Sequence, residues 1–317
     1  MITTLRLLPD ADGIARSAAI LKDGGLVAFP TETVYGLGGA ATIDSAVQGI
    51  YAAKRRPGHN PLIVHVPDLV AAEKLAVFDE QSRRLAHAFW PGPMTLVLPL
   101  RAGAGLSQHV TAGHSSVALR IPAHPVAQQL LRATGLPLAA PSANPSGRIS
   151  PTTARHVLDG LSGRIAAVLD GGPCTVGVES TIIAPGTPAR LLRPGGIPIE
   201  ALELVLGHTP SRTADAARPL APGQLASHYA PDAALRLNVT TPNAGEIWIG
   251  FGPCPGAALS LSASGDVTEA ATCLFDILRQ ADALAGPAGH IAVAPVPLTG
   301  LGLAINDRLI RAAAPRG

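Results

Sequence analysis

Two basic residues at the end of a helix-like stretch are the first candidates for chemistry in this sequence. Lys54 and Arg56 follow the apolar periodicity of Ile43 to Ala53 and lead into a loop of proline and glycine that ends at Pro61. The carboxyl end of a helix favours cations, so helix capping explains part of this run. The planar guanidinium of an arginine beside the compact ammonium of a lysine is also suited to binding a polyphosphate. We therefore predict that Lys54 and Arg56 bind an anion.

A second candidate is the polar loop that follows the apolar strand predicted at Leu138 to Ala140. Ser142 and Asn144 alternate along the chain, so both could face one cleft and donate hydrogen bonds to phosphate or acyl oxygens. A turn stabilised by serine and asparagine side chains explains the same residues equally well. Taken alone, this loop does not decide between the two interpretations.

Further polar residues stand beside other predicted strands. The segment from Phe29 to Gly38 leaves a strand and turns through glycines, and its hydroxyls and amides either bind a polar ligand or form an ordinary connection. Ser180 and Thr181 open another strand, while Arg120 and Arg193 add two cations. Together these residues predict a cleft for a phosphorylated ligand.

The sequence lacks the motifs of several common enzyme classes. No Gly-x4-Gly-Lys-Ser/Thr phosphate loop, no Gly-x-Gly-x-x-Gly after a strand and no Gly-x-Ser-x-Gly is present. Neither the ten histidines nor the three cysteines have metal-ligand spacing, so we predict no protein metal site. These patterns do not define the reaction.

Composition places the chain among globular α/β proteins of the cytosol. Its 317 residues are 47% hydrophobic and 3% aromatic, and the net charge is only +2, which disfavours wholesale electrostatic capture of RNA. The first residues do not form a signal peptide and no apolar run reaches the length of a membrane span. We expect a cytoplasmic protein without membrane segments.

Helical and strand patterns alternate through the first two-thirds of the chain. Helices are predicted near 10–23, 43–53, 69–76, 81–89, 126–133, 153–158 and 199–206, and strands at 26–29, 62–66, 95–98, 117–121, 138–140, 167–169 and 181–183. This irregular order predicts a twisted mixed sheet rather than a regular doubly wound one.

The pattern fails between His208 and Asp232, where prolines recur, and such a connection is a linker or a functional lid. Beyond it, strands at 246–250 and 291–293 alternate with helices at 267–285 and about 305–313. We predict a catalytic domain over 1–207, a linker or lid over 208–232 and a small Rossmann-like α/β domain over 233–317.

Taken in order, the motifs resemble those of the YrdC-like threonylcarbamoyl-adenylate synthases in their long form. The carrying segments are Pro30 to Leu37, Lys54-x-Arg56 with Asn60 to Leu62, Trp90 to Thr95, Pro141 to Gly147, Glu179 to Thr181, Leu192 to Gly195, Pro222-Gly223, His228 to Pro231 and Gly302 to Arg308. Gln224 and Ala226-Ser227 depart from the residues common in the family's linker, although Tyr229 is kept.

The resemblance implies that L-threonine, bicarbonate and ATP, with Mg²⁺, become threonylcarbamoyl-adenylate and pyrophosphate. A partner threonylcarbamoyl transferase would then modify a tRNA adenosine, and a weak direct contact with tRNA is a further expectation. By motif matching, the L-threonine and bicarbonate site comprises Thr33, His65, Arg120, Ser180 and the backbone of Ala140, with Thr31 and Tyr35 as additional cleft residues. The ATP site comprises Lys54, Arg56, Asn60, Ser116, Ser142, Asn144, Ser150, Arg193 and Tyr229, of which Lys54 and Arg56 are also the expected catalytic residues.

Two other functions are alternatives. A YrdC-like RNA-binding module without adenylate-forming activity would explain a concave basic surface, but near-neutral charge and scarce aromatic residues count against it. A carbamoyl-transfer enzyme of the hydrogenase-maturation type would need zinc-finger and acylphosphatase regions, which this sequence lacks.

Overall fold

The chain forms a large mixed sheet followed by a small parallel sheet. The computed structural model describes residues 2–58, 60–212 and 227–315. Eleven of its strands belong to the first sheet and four to the second. The predicted α/β class, with a twisted mixed sheet and a smaller Rossmann-like unit, is confirmed. The predicted domain bounds stay predictions, and most of the predicted linker, including 222–226, lies outside the described residues.

The first sheet has the strand order β1-β8-β2-β3-β7-β4-β6-β5-β9-β10-β11. Its strands are β1 (Leu5–Leu7), β2 (Val27–Phe29), β3 (Gly36–Ala40), β4 (Ile63–His65), β5 (Met94–Pro99), β6 (Ser116–Arg120), β7 (Leu138–Ala139), β8 (Ala167–Leu169), β9 (Thr181–Ala184), β10 (Arg190–Arg193) and β11 (Ser211–Arg212). The helices around it are α1 (Ala11–Lys22), α2 (Asp44–Lys54), α3 (Leu69–Leu75), α4 (Glu80–Phe89), α5 (Gln108–Thr111), α6 (Pro125–Thr134), α7 (Ala154–Leu161) and α8 (Ile199–Leu206).

Local capping explains where several of these helices begin and end. The side chains of Asp10, Asp68 and Asp79 accept hydrogen bonds from the first-turn amides of α1, α3 and α4. The helix α6 starts with proline at its first position and stops at Gly135, whose φ of 63° is the left-handed conformation that glycine adopts without penalty.

Strand pairing gathers the polar segments at one place. Parallel strands β4 and β6 pair in register, so His65 lies beside Arg120 at their carboxyl ends. The strand β7 runs antiparallel to β4, and β5 runs parallel to β9 with Met94 opposite Thr181. Because these five strands are consecutive in the sheet, the segments following β4, β6 and β7 meet the segment that enters β9.

The second sheet is wholly parallel and has the order β12-β15-β13-β14. Its elements are β12 (Ala234–Arg236), β13 (Ile247–Gly250), β14 (Leu259–Ser260), α9 (Val267–Ala285), β15 (His290–Val293) and α10 (Gly302–Ala313). We call residues 234–313 the C-terminal unit. Its buried apolar core continues into the first part of the chain through Val34, Ile149 and Val178, so the two parts share packed surface.

The predicted helices and strands of the first part are all present, with bounds that differ by a few residues. Strands β1, β3, β10 and β11 were not predicted. The five residues of β3, Gly36–Ala40, include three glycines and looked like a turn. Strand β3 is nevertheless fully buried between β2 and β7, where the lack of side chains lets Gly38 pack against the ring of Phe29.

Candidate active site

A cavity opens where the polar segments meet. It combines hydroxyls, cations and one buried carboxylate with a few apolar groups. The lining residues are Thr31, Thr33, Val34, Gly36, Arg56, Ile63, His65, Arg120, Ala140, Pro141, Ser142, Glu179, Ser180, Arg193, His228 and Tyr229.

One side of the cavity is a pair of hydroxyls held by Arg120. The guanidinium of Arg120 donates to Oγ1 of Thr33 at 2.9 Å, and Oγ1 of Thr33 lies 2.8 Å from that of Thr31. Thr31 donates to the carbonyl of Val34, so Thr33 is the donor between the two hydroxyls. A second nitrogen of Arg120 lies 2.7 Å from the carboxylate of Glu32, an ion pair without hydrogen-bond alignment. These contacts hold the guanidinium of Arg120 and the two hydroxyls in place. They do not use all of the hydrogen-bonding positions of this group.

His65 supplies a neutral imidazole beside this group. Its side chain is buried and stands edge-on to Phe29, with 6.2 Å between ring centroids. Burial, reinforced by the charge of Arg120, lowers the pKa of His65 to about 3. Nδ1 of His65 has no hydrogen-bond partner among the described residues. The ring therefore offers an uncharged polar group next to Arg120.

Another part of the lining is built around Ser180. Its hydroxyl lies 2.7 Å from Oγ1 of Thr95 and accepts from Arg193 at 3.1 Å. Arg193 also donates twice to the main-chain carbonyl of Ser180. Gly195 makes this possible, since a Cβ there would stand 2.4 Å from the peptide atoms between Ser180 and Thr181. The loop after β10 can approach the start of β9 only with glycine at that position.

Lys54 and Arg56 are both buried, but they differ in position. Arg56 lines the cavity and donates to the carbonyls of Asn60 at 3.2 Å and Pro61 at 3.0 Å. Burial lowers the pKa of Arg56 to about 10. Nζ of Lys54 instead donates to the carbonyls of Ser142 and Asn144. In this arrangement Lys54 holds the polar loop, and Arg56 faces the open space.

Glu179 is the one carboxylate in the cavity lining. One oxygen accepts from the hydroxyl of Ser150 at 2.5 Å and the other from Nε of Arg308 at 2.8 Å. Burial favours protonation of Glu179, yet the charges of Arg308 and Arg193 and the hydrogen bonds hold its pKa below the ordinary value. The cavity thus contains a buried, ionised carboxylate among several cations.

The end of the predicted linker closes the cavity. His228 and Tyr229 are buried, and Tyr229 has a φ of 63°, unusual for a residue with a side chain. The ring of Tyr229 stacks on Phe275 of α9, with centroids 5.7 Å apart. Burial and the nearby charges of Arg56 and Lys54 hold the pKa of His228 well below its usual range. The hydroxyl of Tyr229 has no hydrogen-bond partner among the described residues.

The structure brings most of the predicted site residues to this cavity. Those in its lining are Thr31, Thr33, Arg56, His65, Arg120, Ala140, Ser142, Ser180, Arg193 and Tyr229. Lys54, Asn60, Asn144 and Ser150 are buried just behind the lining. Ser116 starts β6, four residues before Arg120 and therefore about 13 Å away along the strand.

Tyr35 does not belong to the lining of the cavity. The hydroxyl of Tyr35 donates to the carbonyl of Gly172 at 2.7 Å, and its ring belongs to the main apolar core.

Sequence reasoning missed the roles of Glu179 and Arg308, although both stand in motifs that carry the resemblance. Their acidic and basic side chains, each beside other polar residues, gave no local sign of a contact across 129 positions.

The carboxylates and imidazoles of the described residues do not gather into a metal-binding group of three or more. Glu179 and Glu32, the nearest acids, already pair with arginines.

Known proteins resemble this chain along most of its length. Residues 19–195 match the Sua5/YciO/YrdC family model, described as telomere recombination, and residues 197–314 match the model of the threonylcarbamoyl-AMP synthase C-terminal domain. A threonylcarbamoyl-AMP synthase of Bacillus subtilis is 43% identical, over 96% of this chain and 93% of that protein. One from Pyrococcus abyssi is 45% identical, over 68% of this chain and 65% of that protein.

A solved structure supports the same relationship over nearly the whole chain. The crystal structure of Pyrococcus abyssi Sua5 complexed with L-threonine superposes with a TM-score of 0.88 at 37% identity, covering 99% of this chain and 97% of that one. None of the helices in the described residues is long and apolar enough to span a membrane. With both family models and relatives matched along its length, the chain belongs to the threonylcarbamoyl-AMP synthase family.

Proposed function

We propose that this protein catalyses adenylyl transfer, joining L-threonine, bicarbonate and ATP into threonylcarbamoyl-AMP with release of pyrophosphate. Such an enzyme is a nucleotidyltransferase. The observation that carries the proposal is one cavity in which an arginine with two hydroxyls faces a second set of cations. That combination suits an amino acid at one end and a polyphosphate at the other.

The amino-acid end is assigned to the wall around Arg120. Its guanidinium suits the α-carboxylate of L-threonine, and Thr33 and Ser180 suit polar groups of the same substrate. His65, kept neutral by burial, adds a polar contact without a second positive charge. The backbone beside Ala140 completes this end of the cavity. The complex of Pyrococcus abyssi Sua5 with L-threonine supports a site for this amino acid in the present chain.

The nucleotide end is assigned to the cations on the other side. Arg56 and Arg193 line the cavity and suit the triphosphate oxygens. Tyr229 closes this end. The remaining nucleotide contacts proposed from the sequence are Lys54, Asn60, Ser116, Ser142, Asn144 and Ser150. Lys54, Asn60 and Asn144 lie behind the lining and would act by supporting the loops, or by turning toward the phosphates when ATP binds.

The chemistry requires positioning and shielding more than a nucleophilic side chain. The amine of threonine attacks bicarbonate, loses a proton and expels water, giving a carbamate whose oxygen attacks the α-phosphorus of ATP and displaces pyrophosphate. Holding both reactants in line and neutralising phosphate charge supplies much of the rate in such transfers. A cavity closed by His228 and Tyr229 would exclude water from the unstable carbamate.

Magnesium is proposed to accompany ATP. The phosphate oxygens would be its main ligands, since the described residues contain no cluster of metal-binding side chains around the cavity. Bound there, the ion would neutralise charge on the pyrophosphate leaving group. Arg56 and Arg193 would complement it by holding the phosphate oxygens that remain free.

Two further expectations concern the cellular setting. We propose that a threonylcarbamoyl transferase receives the product, because a mixed carbamic–phosphoric anhydride is an activated group donor that must be consumed quickly. A direct contact with tRNA would be weak, since the net charge is only +2. We propose a cytoplasmic location, which suits the three free cysteines.

The direct test measures pyrophosphate released by the purified protein with ATP, Mg²⁺ and bicarbonate. L-Threonine should stimulate release strongly, L-serine weakly, and omission of the amino acid should abolish it. Mass spectrometry should detect threonylcarbamoyl-AMP. Arg56→Met should remove this activity, whereas Arg55→Met is the matched control, because Arg55 is its exposed neighbour.

Absence of threonine-dependent release from the folded wild-type protein would overturn the proposal. Salt-sensitive RNA binding without ATP consumption would instead favour the RNA-binding alternative. Equal activity of the Arg55 and Arg56 variants would remove Arg56 from the nucleotide site while leaving the reaction itself in place.

A further inference from the structure

Arg308 connects three separate parts of the chain through one buried guanidinium. The side chain lies on α10 of the C-terminal unit and is 0% exposed. Nε donates to Glu179 at 2.8 Å and Nη1 donates to the carbonyl of Pro194 at 2.7 Å, both in the first part of the chain. Its Cζ lies 5.3 Å from the ring centroid of Tyr229, within the range of a cation–π contact.

These contacts reach the wall and the cover of the cavity. Glu179 and Tyr229 both line it, and Pro194 follows Arg193, another lining residue. Arg308 itself does not belong to the lining. It therefore contacts the site through the residues that it holds.

The charge of Glu179 explains why such a partner is needed. This carboxylate is buried in the same cavity as Arg56 and Arg193, where the proposed function places a triphosphate. An unpaired anion there would repel phosphate and would also compete for the cations. Pairing with Arg308, together with the hydroxyl of Ser150, compensates that charge from behind the cavity wall.

We propose that Arg308 is a positioning residue that makes nucleotide binding depend on docking of the C-terminal unit. This coupling between the C-terminal unit and the nucleotide site rests on the proposed function. Arg308 neutralises Glu179 and holds the ring of Tyr229 over the cavity. Undocking of α10 removes the ion-pair partner of Glu179 and the cation beside Tyr229, so affinity for ATP falls while the threonine wall around Arg120 is untouched.

The test is a double-mutant cycle on Arg308 and Glu179. Arg308→Met keeps much of the packed volume but removes the charge, and we expect the KM for ATP to rise at least about tenfold. The KM for L-threonine should change much less. The double variant Arg308→Met with Glu179→Gln removes the unpaired anion, and should recover the ATP affinity to within about threefold of wild type. Arg308→Lys, which keeps a cation, should fall between wild type and Arg308→Met.

Arg311→Met is the matched control, because Arg311 stands on the same helix and shares Asp307 as a partner. Its side chain is 21% exposed and pairs with Asp307, so its loss should leave the KM for ATP within twofold of wild type. An effect as large as that of Arg308→Met would mean that α10 acts through general packing and would overturn the proposal.

A second readout separates this inference from the proposed reaction. Calorimetric titration with ATP and hydrogen exchange at residues 228–233 need no turnover. Affinity for ATP should weaken in Arg308→Met and recover in the double variant, whereas exchange at 228–233 should be faster in both variants, because neither restores the cation beside Tyr229. Recovery without any threonine-dependent pyrophosphate release from wild type would retain the coupling and reject the reaction. Normal ATP affinity in a folded Arg308→Met protein, or no recovery in a folded double variant, would reject the coupling alone.

Discussion

His65 and Arg120 lie side by side in register at the carboxyl ends of the parallel strands β4 and β6. The pairing places an imidazole against a buried guanidinium in a region shielded from water. Burial and that positive charge act in the same direction, so the pKa of His65 falls to about 3. A neutral histidine is therefore part of the folded structure at every pH at which the protein would be assayed.

This relationship predicts a pH-dependent stability with a defined sign. An unfolded histidine takes up a proton near pH 6.5 whereas folded His65 does so only near pH 3, so stability is complete above pH 6.5 and is lost as the pH falls. Between pH 6.5 and 5, His65 should account for a loss of about 1.5 kcal/mol in the free energy of unfolding.

Urea unfolding at pH 6.5 and 5 measures this loss in wild type and in His65→Gln, which should show a shallower dependence. His87→Gln, on the exposed face of α4, is the control for removing a surface imidazole. Identical pH slopes in wild type and His65→Gln would contradict the prediction.

Lys54 should matter for structure and activity together. Its ammonium donates to the carbonyls of Ser142 and Asn144, so Lys54→Met leaves two buried acceptors without a partner and frees the polar loop. We expect a loss of about 2–4 kcal/mol in unfolding free energy and a fall in kcat/KM of at least about 100-fold.

The matched control is Lys22→Met, since Lys22 also ends a helix but is exposed. Chemical unfolding and steady-state pyrophosphate release should show little change in that variant. Full activity of Lys54→Met would mean that the polar loop keeps its shape without the lysine.

Gly195 should be indispensable to the site for a steric reason. A Cβ at this position would lie 2.3 Å from the carbonyl oxygen of Glu179, so Gly195→Ala must push the loop after β10 away from the start of β9. Overpacking of this kind costs about 1–3 kcal/mol and would displace Arg193 from Ser180. Thermal unfolding and the KM for both substrates should change together.

Gly58→Ala provides the comparison, because a Cβ there meets nothing within 4 Å. Its effect on stability should stay within about 0.5 kcal/mol. A Gly195→Ala protein with wild-type stability and kinetics would show that the backbone can move aside at little cost.

The sequence predicted which residues form this site better than it predicted how they are arranged. Arg120 and His65 fall on strands whose apolar patterns are clear, and Ser180 precedes another, so their elements could be predicted locally. The expectation that Ser142 and Asn144 both face the cleft rested on strand alternation. That alternation ends with β7 at Ala139, and the amide of Asn144 instead donates to the carbonyls of Pro145 and Arg148.

Long-range contacts account for what could not be predicted. Lys54 finds its two carbonyl acceptors 88 and 90 positions away, and Arg308 finds Glu179 across 129 positions. Neither pairing follows from helical or strand periodicity, because each depends on how complete elements pack. Strand β3 escaped notice for a related reason, since its burial between neighbouring strands overrides the poor strand propensity of glycine.

Tyr229 allows a last prediction that separates substrate binding from packing. Its hydroxyl is buried without a hydrogen-bond partner among the described residues, while its ring stacks on Phe275. Tyr229→Phe should therefore keep the ring contacts and leave the free protein as stable as wild type, or more stable by about 1 kcal/mol. We expect this hydroxyl to bond a phosphate oxygen of ATP, so the Kd for ATP should rise roughly tenfold in Tyr229→Phe, the effect of losing one hydrogen bond to a charged group.

Tyr35→Phe gives the converse control, because it removes the bond to Gly172 in the core. That variant should lose stability and keep its affinity for ATP. Calorimetry with ATP and chemical unfolding of both variants decide the matter: unchanged ATP affinity in Tyr229→Phe would limit Tyr229 to covering the cavity through its ring.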